Sequence, residues 1–156
     1  MPPKLFTLEE ANSLLPRLEP VMRRLIARRQ ELRGHQEQLA EFRALASRSG
    51  GALPGSRHAR AKEESVRLLA EINAGVREIE GLGCVIKDLD LGLVDFLARR
   101  GREQVYLCWR LGEPEIRHWH GLQEGFAGRK PLGDDPVELP RSSRTEGTRV
   151  EGPFPK

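Results

Sequence analysis

The sequence predicts an α+β domain in which a long antiparallel helical hairpin, coiled-coil-like in its spacing, packs with a small antiparallel sheet of three or four strands. Apolar residues first recur in heptads and then follow a second helical stripe. After Gly81 they change to β-branched and aromatic runs between tight turns. A chain of 156 residues fits one such domain. We expect a single domain over residues 1–132, with the hairpin at about 7–81 and the sheet at about 84–122.

The first helix begins at a clear signal. Thr7 followed by Glu10 has the spacing of a capping box, in which the threonine hydroxyl accepts a hydrogen bond from the backbone three residues on. Pro16 and Pro20 lie in the early turns, and proline lacks the N–H group that a helix interior needs. The two prolines predict a kink or a later start of the helix.

A coiled-coil seam is predicted along this helix. Its heptad series is Ala11, Leu18, Leu25, Leu32, Leu39 and Ala46. Arg28 and His35 interrupt the partner positions, where polar residues commonly set register or partner choice. Because the second helix is visibly shorter than the first, part of the first helix needs another partner. We expect a homodimer, with the hairpin also able to receive another protein.

A second helix is predicted from about Arg57 to Glu80, after the breaker-rich linker "SRSGGALPGS" at residues 47–56. Its predicted apolar stripe consists of Val66, Leu69, Ile72, Val76 and Ile79.

The strand signals follow the hairpin. The predicted strands are "CVIKDL", "GLVDFLA", "EQVYLCWRL" and "IRHWHGL", with a hairpin turn at Gly101 between the second and the third. "GFAGRKPL" is predicted to be a surface loop that carries no phosphate-binding motif. Residues 133–156, rich in Pro, Gly, Ser and charge, predict an extended or disordered tail.

The candidate site starts from "HWH". Residues two apart on a strand share a face, so His118 and His120 are expected to project together with Ile116, and Trp119 to project oppositely. Asp95, set between apolar residues in "LVDFL", needs a partner, because a buried unpaired charge is costly.

Asp88 and Asp90 repeat the two-residue spacing and can substitute for Asp95 as a carboxylate ligand. Two histidines and a carboxylate match a site for a divalent metal, either zinc, manganese or iron. An open coordination position on the metal would make hydrolysis possible. The catalytic residues stay unknown. The plainer alternative is that the histidines meet solvent and Asp95 pairs with Arg99, Arg110 or Arg117.

Two classes of function follow from these patterns. In the one that the sequence favours, the hairpin is the working surface of an oligomeric interaction module. In the other, the sheet carries a metal or small-molecule site. The basic band on the first helix has no interleaved aromatic residues and the net charge is only +3, which argues against nucleic-acid binding.

The two cysteines and the apolar runs bear on the compartment. Cys84 and Cys108 lie in apolar strand-like segments and are too few for a disulfide scaffold, so we expect buried free thiols in a reducing cytoplasm. Cys108, between large apolar residues, is expected to be inert. No apolar run reaches the length of a membrane span, and the N-terminal residues lack a secretory signal.

The segments "FTLEEANSLLPRL" and "VIKDLDLGLVDFLARRGREQVYLCWRLGEPEIRHWHGLQEGFAGRKPL", with the hairpin between them, resemble a known family. It is the family of uncharacterised bacterial proteins called domain-of-unknown-function family 2203. The resemblance covers about Leu5 to Leu132. It implies a small bacterial cytoplasmic protein and carries no activity, cofactor or partner with it.

Overall fold

The computed structural model of the chain describes residues 4–48 and 55–133, and within them the predicted α+β fold is confirmed. The elements are α1 (Leu8–Arg48), α2 (Gly55–Glu80), β1 (Val85–Asp88), β2 (Leu93–Arg100), β3 (Glu103–Arg110), β4 (His118–Gly121), a short 3-10 helix (Phe126–Gly128) and β5 (Lys130–Pro131). Residues 49–54 of the predicted linker and the predicted tail beyond Gly133 lie outside the described residues.

The sheet is antiparallel and its five strands lie in chain order, so the prediction of three or four strands is too low. The additional strand, β5, lies in "GFAGRKPL", where we predict a surface loop. A strand of two residues is too short to leave an alternating pattern in the sequence. β4 begins at His118, and Ile116 before it is buried in the core, so the predicted alignment of Ile116 with the histidines is wrong.

α1 starts where the capping signal predicts. The backbone N–H of Glu10 donates to Oγ1 of Thr7 at 2.9 Å, and the helix continues from Leu8 through both prolines. A later start is therefore wrong. Pro16 and Pro20 are accommodated inside the helix although each removes one backbone donor.

The main core lies between α1, α2 and one face of the sheet. From the sheet it takes Val94, Phe96 and Ala98 of β2 and Val105, Leu107 and Trp109 of β3. From α1 it takes Ala11, Leu15, Leu18, Val21, Met22 and Leu25, all in the first half of the helix. The sheet is thus the additional partner that the longer helix needs.

α2 faces α1 with a stripe different from the predicted one. Its buried residues are Ala61, Leu68, Ile72, Gly75 and Ile79. Val66 and Leu69, which we predict to be in the stripe, are 63% and 50% exposed. Because Leu68 and Leu69 are adjacent, the sequence allows two positions for the apolar stripe around the helix. The packing of Leu25 against Gly75 selects the stripe that contains Leu68.

The two polar seam positions differ in their partners. Arg28 pairs with Glu31 on its own helix and with Glu71 of α2. His35 is half-buried, and its Nδ1 has no hydrogen-bond partner among the described residues. Among the described helices, none combines the length and apolar character that a membrane span demands.

Candidate metal centre

Three strands bring three ligand types together on the sheet face that points away from the helices, called here the outer face. In the strand register Asp95 of β2 lies opposite Cys108 of β3, and Tyr106, two residues before Cys108, lies opposite His120 of β4. A carboxylate oxygen, the thiol sulfur and an imidazole nitrogen lie within 4.8 Å of one another, and all three residues are buried. We call Asp95, Cys108 and His120 the buried triad.

The orientation of His120 is fixed by the backbone of the next residue. Its Nδ1 lies 2.8 Å from the carbonyl oxygen of Gly121, which can only accept a hydrogen bond. Nδ1 therefore carries the hydrogen, and Nε2 of the neutral ring is left with a lone pair. Histidine ligands of metals typically have this arrangement, in which the distal nitrogen is held by a carbonyl or carboxylate.

The lone pair on Nε2 faces Asp95. Nε2 lies 2.8 Å from Oδ2 of Asp95, and both side chains are almost completely shielded from solvent. Neither carboxylate oxygen has an aligned hydrogen-bond donor within the described part of the chain, although His120 and the Cys108 thiol lie close enough to lower the pKa of Asp95 as hydrogen-bonding neighbours. Two lone-pair atoms this close require a proton or a metal ion between them.

Burial shapes the acid–base properties of the triad. It raises the pKa of Asp95, and the neighbouring His120 opposes this shift without cancelling it. Burial, aided by the negative charge of Asp95, raises the pKa of Cys108 to about 12. Without a metal, Cys108 is thus a protonated thiol at neutral pH and no nucleophile, as its apolar surroundings predict.

The triad forms part of the lining of a cavity of about 270 Å³. Leu91 and Leu93 contribute apolar wall on one side, and Phe126 in the 3-10 helix contributes it on the other. Lys87, Asp88 and Glu124 complete the polar part of the lining. The segment from Gly121 to Pro131 folds back along the outer face, and Glu124 holds it by accepting from the backbone of Gly121 and from Lys130. Both partners lower the pKa of Glu124.

His118 shares the outer face with His120, as predicted, but turns to a different partner. It lies opposite Cys108 in the register, and its Nδ1 is 3.4 Å from Oε2 of Glu113. Glu113 in turn pairs with Arg129, which also donates to the carbonyl of Cys108. The pair of histidines is therefore not brought to one point.

The two other predicted carboxylates have structural partners. Asp88 accepts a hydrogen bond from the backbone of Leu91 at 3.0 Å in the turn after β1. Asp90 pairs with Arg29 and Arg33 of α1 at 3.1 and 2.8 Å and so fastens this turn to the helix. Asp88 also lines the cavity, but neither residue joins the cluster around Asp95.

Cys108 is the residue of the triad that the sequence analysis does not propose. The turn between β2 and β3 could have identified it. Gly101, with a φ of +61°, and Arg102 form a two-residue turn, so Arg100 pairs with Glu103. Counting back from that pair places Cys108 directly opposite Asp95.

Comparisons with known proteins give the family and nothing beyond it. No curated protein and no solved structure matches this chain significantly. The model of one family, described as an uncharacterized conserved protein (DUF2203), matches residues 4–132, the whole of the fold described above. The chain therefore belongs to this family.

Proposed function

We propose that the protein binds a divalent metal ion, zinc in preference to manganese or iron, through Asp95, Cys108 and His120. The observation that carries the proposal is the 2.8 Å approach of Nε2 of His120 to an Asp95 carboxylate that has no aligned hydrogen-bond donor, with a thiol sulfur beside them. An ion placed between these atoms removes the lone-pair repulsion and compensates the buried charge.

The donor set favours zinc. Nitrogen and oxygen ligands suit zinc, iron and manganese alike, but a thiolate is a soft ligand that selects zinc over manganese. Tetrahedral zinc with bonds of about 2.0–2.3 Å places its ligand atoms roughly 3.4 Å apart. The triad atoms lie within 4.8 Å of one another, so side-chain movements of about 1 Å would complete the coordination.

Three protein ligands beside a cavity are typical of a catalytic rather than a structural zinc site, since the fourth position stays open to water or substrate. Zinc lowers the pKa of a bound water to about 7, so hydrolysis is the reaction class that this centre would support.

Metal analysis of tag-free protein tests the site. We expect about one zinc per chain after incubation with zinc and removal of the excess. Cys108→Ala should weaken zinc binding at least about a hundredfold by removing a direct ligand, whereas changes to residues that only hydrogen-bond a ligand typically cost about 10–100-fold.

Cys84→Ala is the matched control, because Cys84 is an equally buried free thiol that lies outside the triad. If zinc binds equally tightly to Cys108→Ala, to Cys84→Ala and to the unmodified chain, the triad is not the zinc site. His118→Ala provides a second comparison, since it removes the histidine that lies outside the cluster.

We also propose that the protein forms a homodimer through α2, on a separate observation. Val66 and Leu69, one turn apart, present exposed apolar side chains on the side of α2 that does not face α1. In an antiparallel α2–α2 contact, Val66 and Leu69 of each copy can cover the same two residues of the other copy, because a two-fold interface uses the same patch twice.

Light scattering at micromolar concentration tests the dimer. The chain should have twice the monomer mass, and the Val66→Glu/Leu69→Glu double variant should have the monomer mass. Leu122→Glu, at an exposed leucine beyond β4, is the control and should stay dimeric. A monomer for the unmodified chain would end this proposal and leave the metal site untouched.

A further inference from the structure

We propose that the metal centre receives a small organic monoanion, a carboxylate with a short apolar group, whose oxygen takes the open metal position and whose hydrocarbon lies against Phe126 and Leu91. This inference rests on the proposed zinc site and names the class of ligand that the cavity beside it would take.

The size of the cavity limits the ligand. Its volume of about 270 Å³ lies just below the roughly 300–1,000 Å³ of sites that take drug-sized molecules. A single ring or a short branched chain with one polar group therefore fits. A peptide or a nucleotide is too large for it.

Apolar and polar groups are segregated along the lining. Phe126 is 40% exposed and Leu91 is 39% exposed, so the cavity presents two large apolar side chains that a ligand can cover. The polar atoms of the buried triad lie together between the strands. An amphiphilic ligand with one polar end matches this division.

The charges favour an anion. Zinc with one carboxylate and one thiolate is formally neutral, and the remaining basic side chain of the lining is Lys87. Its ammonium lies 4.6 Å from the centroid of the Tyr106 ring and forms no salt bridge within the described residues. Tyr106 in turn contacts the ring of His120, with centroids 5.6 Å apart, and the charge of Lys87 also acts on Asp95, so this positive charge lies one ring away from the metal ligand.

The two remaining carboxylates of the lining differ in their partners. Glu124 is compensated by the ammonium of Lys130, whereas Asp88 accepts a hydrogen bond from the neutral backbone of Leu91 and keeps its negative charge. The preference for an anion therefore comes from the open metal position with Lys87 beside it, and Asp88 in the turn after β1 opposes it in part.

The test uses the full chain loaded with Co2+, which binds the same donors as zinc and reports its coordination by visible absorption. Benzoate is the probe, with benzylamine as a cation of the same size and benzamide as a neutral analogue. We expect benzoate alone to shift the cobalt spectrum in a saturable way. Lys87→Gln should weaken benzoate about tenfold, as expected for the loss of one charge partner. Phe126→Ala should weaken benzoate and leave acetate unchanged.

Lys4→Gln is the control, because the ammonium of Lys4 also lies over an aromatic ring, at 4.7 Å from Phe6, and lies outside the cavity. A cobalt spectrum that benzoate leaves unchanged, or that benzylamine shifts equally, would overturn the inference while the metal site stands. Absence of any thiolate-to-cobalt absorption band would instead reject the metal site itself, and this inference with it.

Discussion

Asp95 is a fully buried carboxylate whose nearest polar partner is an imidazole and not an arginine. Of the arginines that the sequence suggests as partners, Arg117 pairs with Glu115 and Arg110 lies over the Phe126 ring, so neither compensates it. Burial without an aligned donor disfavours the charged form of a carboxylate. A residue with this unfavourable position is a candidate for function, since the same position would stabilise a bound cation.

The Asp95→Asn variant should separate stability from metal binding. The folded-state pKa of Asp95 is raised above the ordinary 3.8, so its stabilising effect is present below that value and is lost as pH rises through the folded pKa. In EDTA at pH 8, the Asp95→Asn variant should therefore be more stable than the unmodified chain, by about 1 kcal/mol. The difference should shrink towards pH 4.

Thermal melts with and without zinc measure both effects. The unmodified chain should gain stability with zinc, and Asp95→Asn should gain much less. Asp90→Asn serves as the control, because Asp90 is half-exposed and its ion pairs within the described residues are with the surface arginines Arg29 and Arg33. The stability difference between Asp95→Asn and the unmodified chain should change with pH. A difference that stays constant would contradict the role assigned to the burial of Asp95.

From the sequence, Asp95 and His120 of the buried triad are proposed, but Cys108 on the strand between them is not. Asp95 and His120 can be proposed because a carboxylate in an apolar strand and an H-x-H pair are visible as patterns. The selection of His120 over His118 cannot be read from a pattern, since both face the same way. It depends on the turn at Gly121, which orients the ring of His120, and on Glu113, which lies beside His118.

At the scale of elements, α1 and α2 are joined by a close approach at Gly75. A Cβ added there would lie 2.4 Å from Cδ2 of the buried Leu25. Gly75→Ala should therefore destabilise the fold by about 1–2 kcal/mol, because overpacking outweighs the gain of about 1 kcal/mol in helix propensity.

Gly34→Ala is the matched control for this prediction, since Gly34 is an exposed helical glycine with nothing within 4 Å of an added Cβ. It should stabilise the protein by about 0.5–1 kcal/mol. Chemical denaturation of the two variants gives both values. Equal effects of the two substitutions would contradict the close packing of the hairpin at Gly75.

Long elements with a strong period are predicted better than short ones. The heptad of α1 and the strand runs of β2 and β3 give the fold class correctly, because burial imposes their periods. The phase of α2 is wrong at Leu69, since its sequence offers two overlapping apolar stripes. β5 has no period to detect, because it exists only through its pairing with β4.

At the scale of the whole molecule, zinc uptake should release at least one proton per ion. This proton comes from Cys108, whose pKa of about 12 keeps the metal-free thiol protonated until zinc converts it to a thiolate. Zinc affinity should therefore rise by at least about tenfold per pH unit near neutrality.

Calorimetry in buffers with different ionisation enthalpies counts these protons directly. Cys108→Ala, where zinc still binds measurably, should release about one proton fewer. Release of no protons by the unmodified chain would mean that the triad is already ionised, contrary to the effect of burial.

The two halves of the hairpin differ in how completely their side chains are buried. The chain should therefore unfold in two cooperative units. Beyond Leu25, α1 contributes no fully buried side chain among the described residues, and the distal seam is held by half-buried residues such as Leu32 and Phe42. Segments with little buried apolar surface open at a lower free energy than the global transition. Amide hydrogens of residues 33–48 should therefore exchange with solvent much sooner than those of residues 11–25, so that the tip of the hairpin unzips while the sheet and its cavity stay intact.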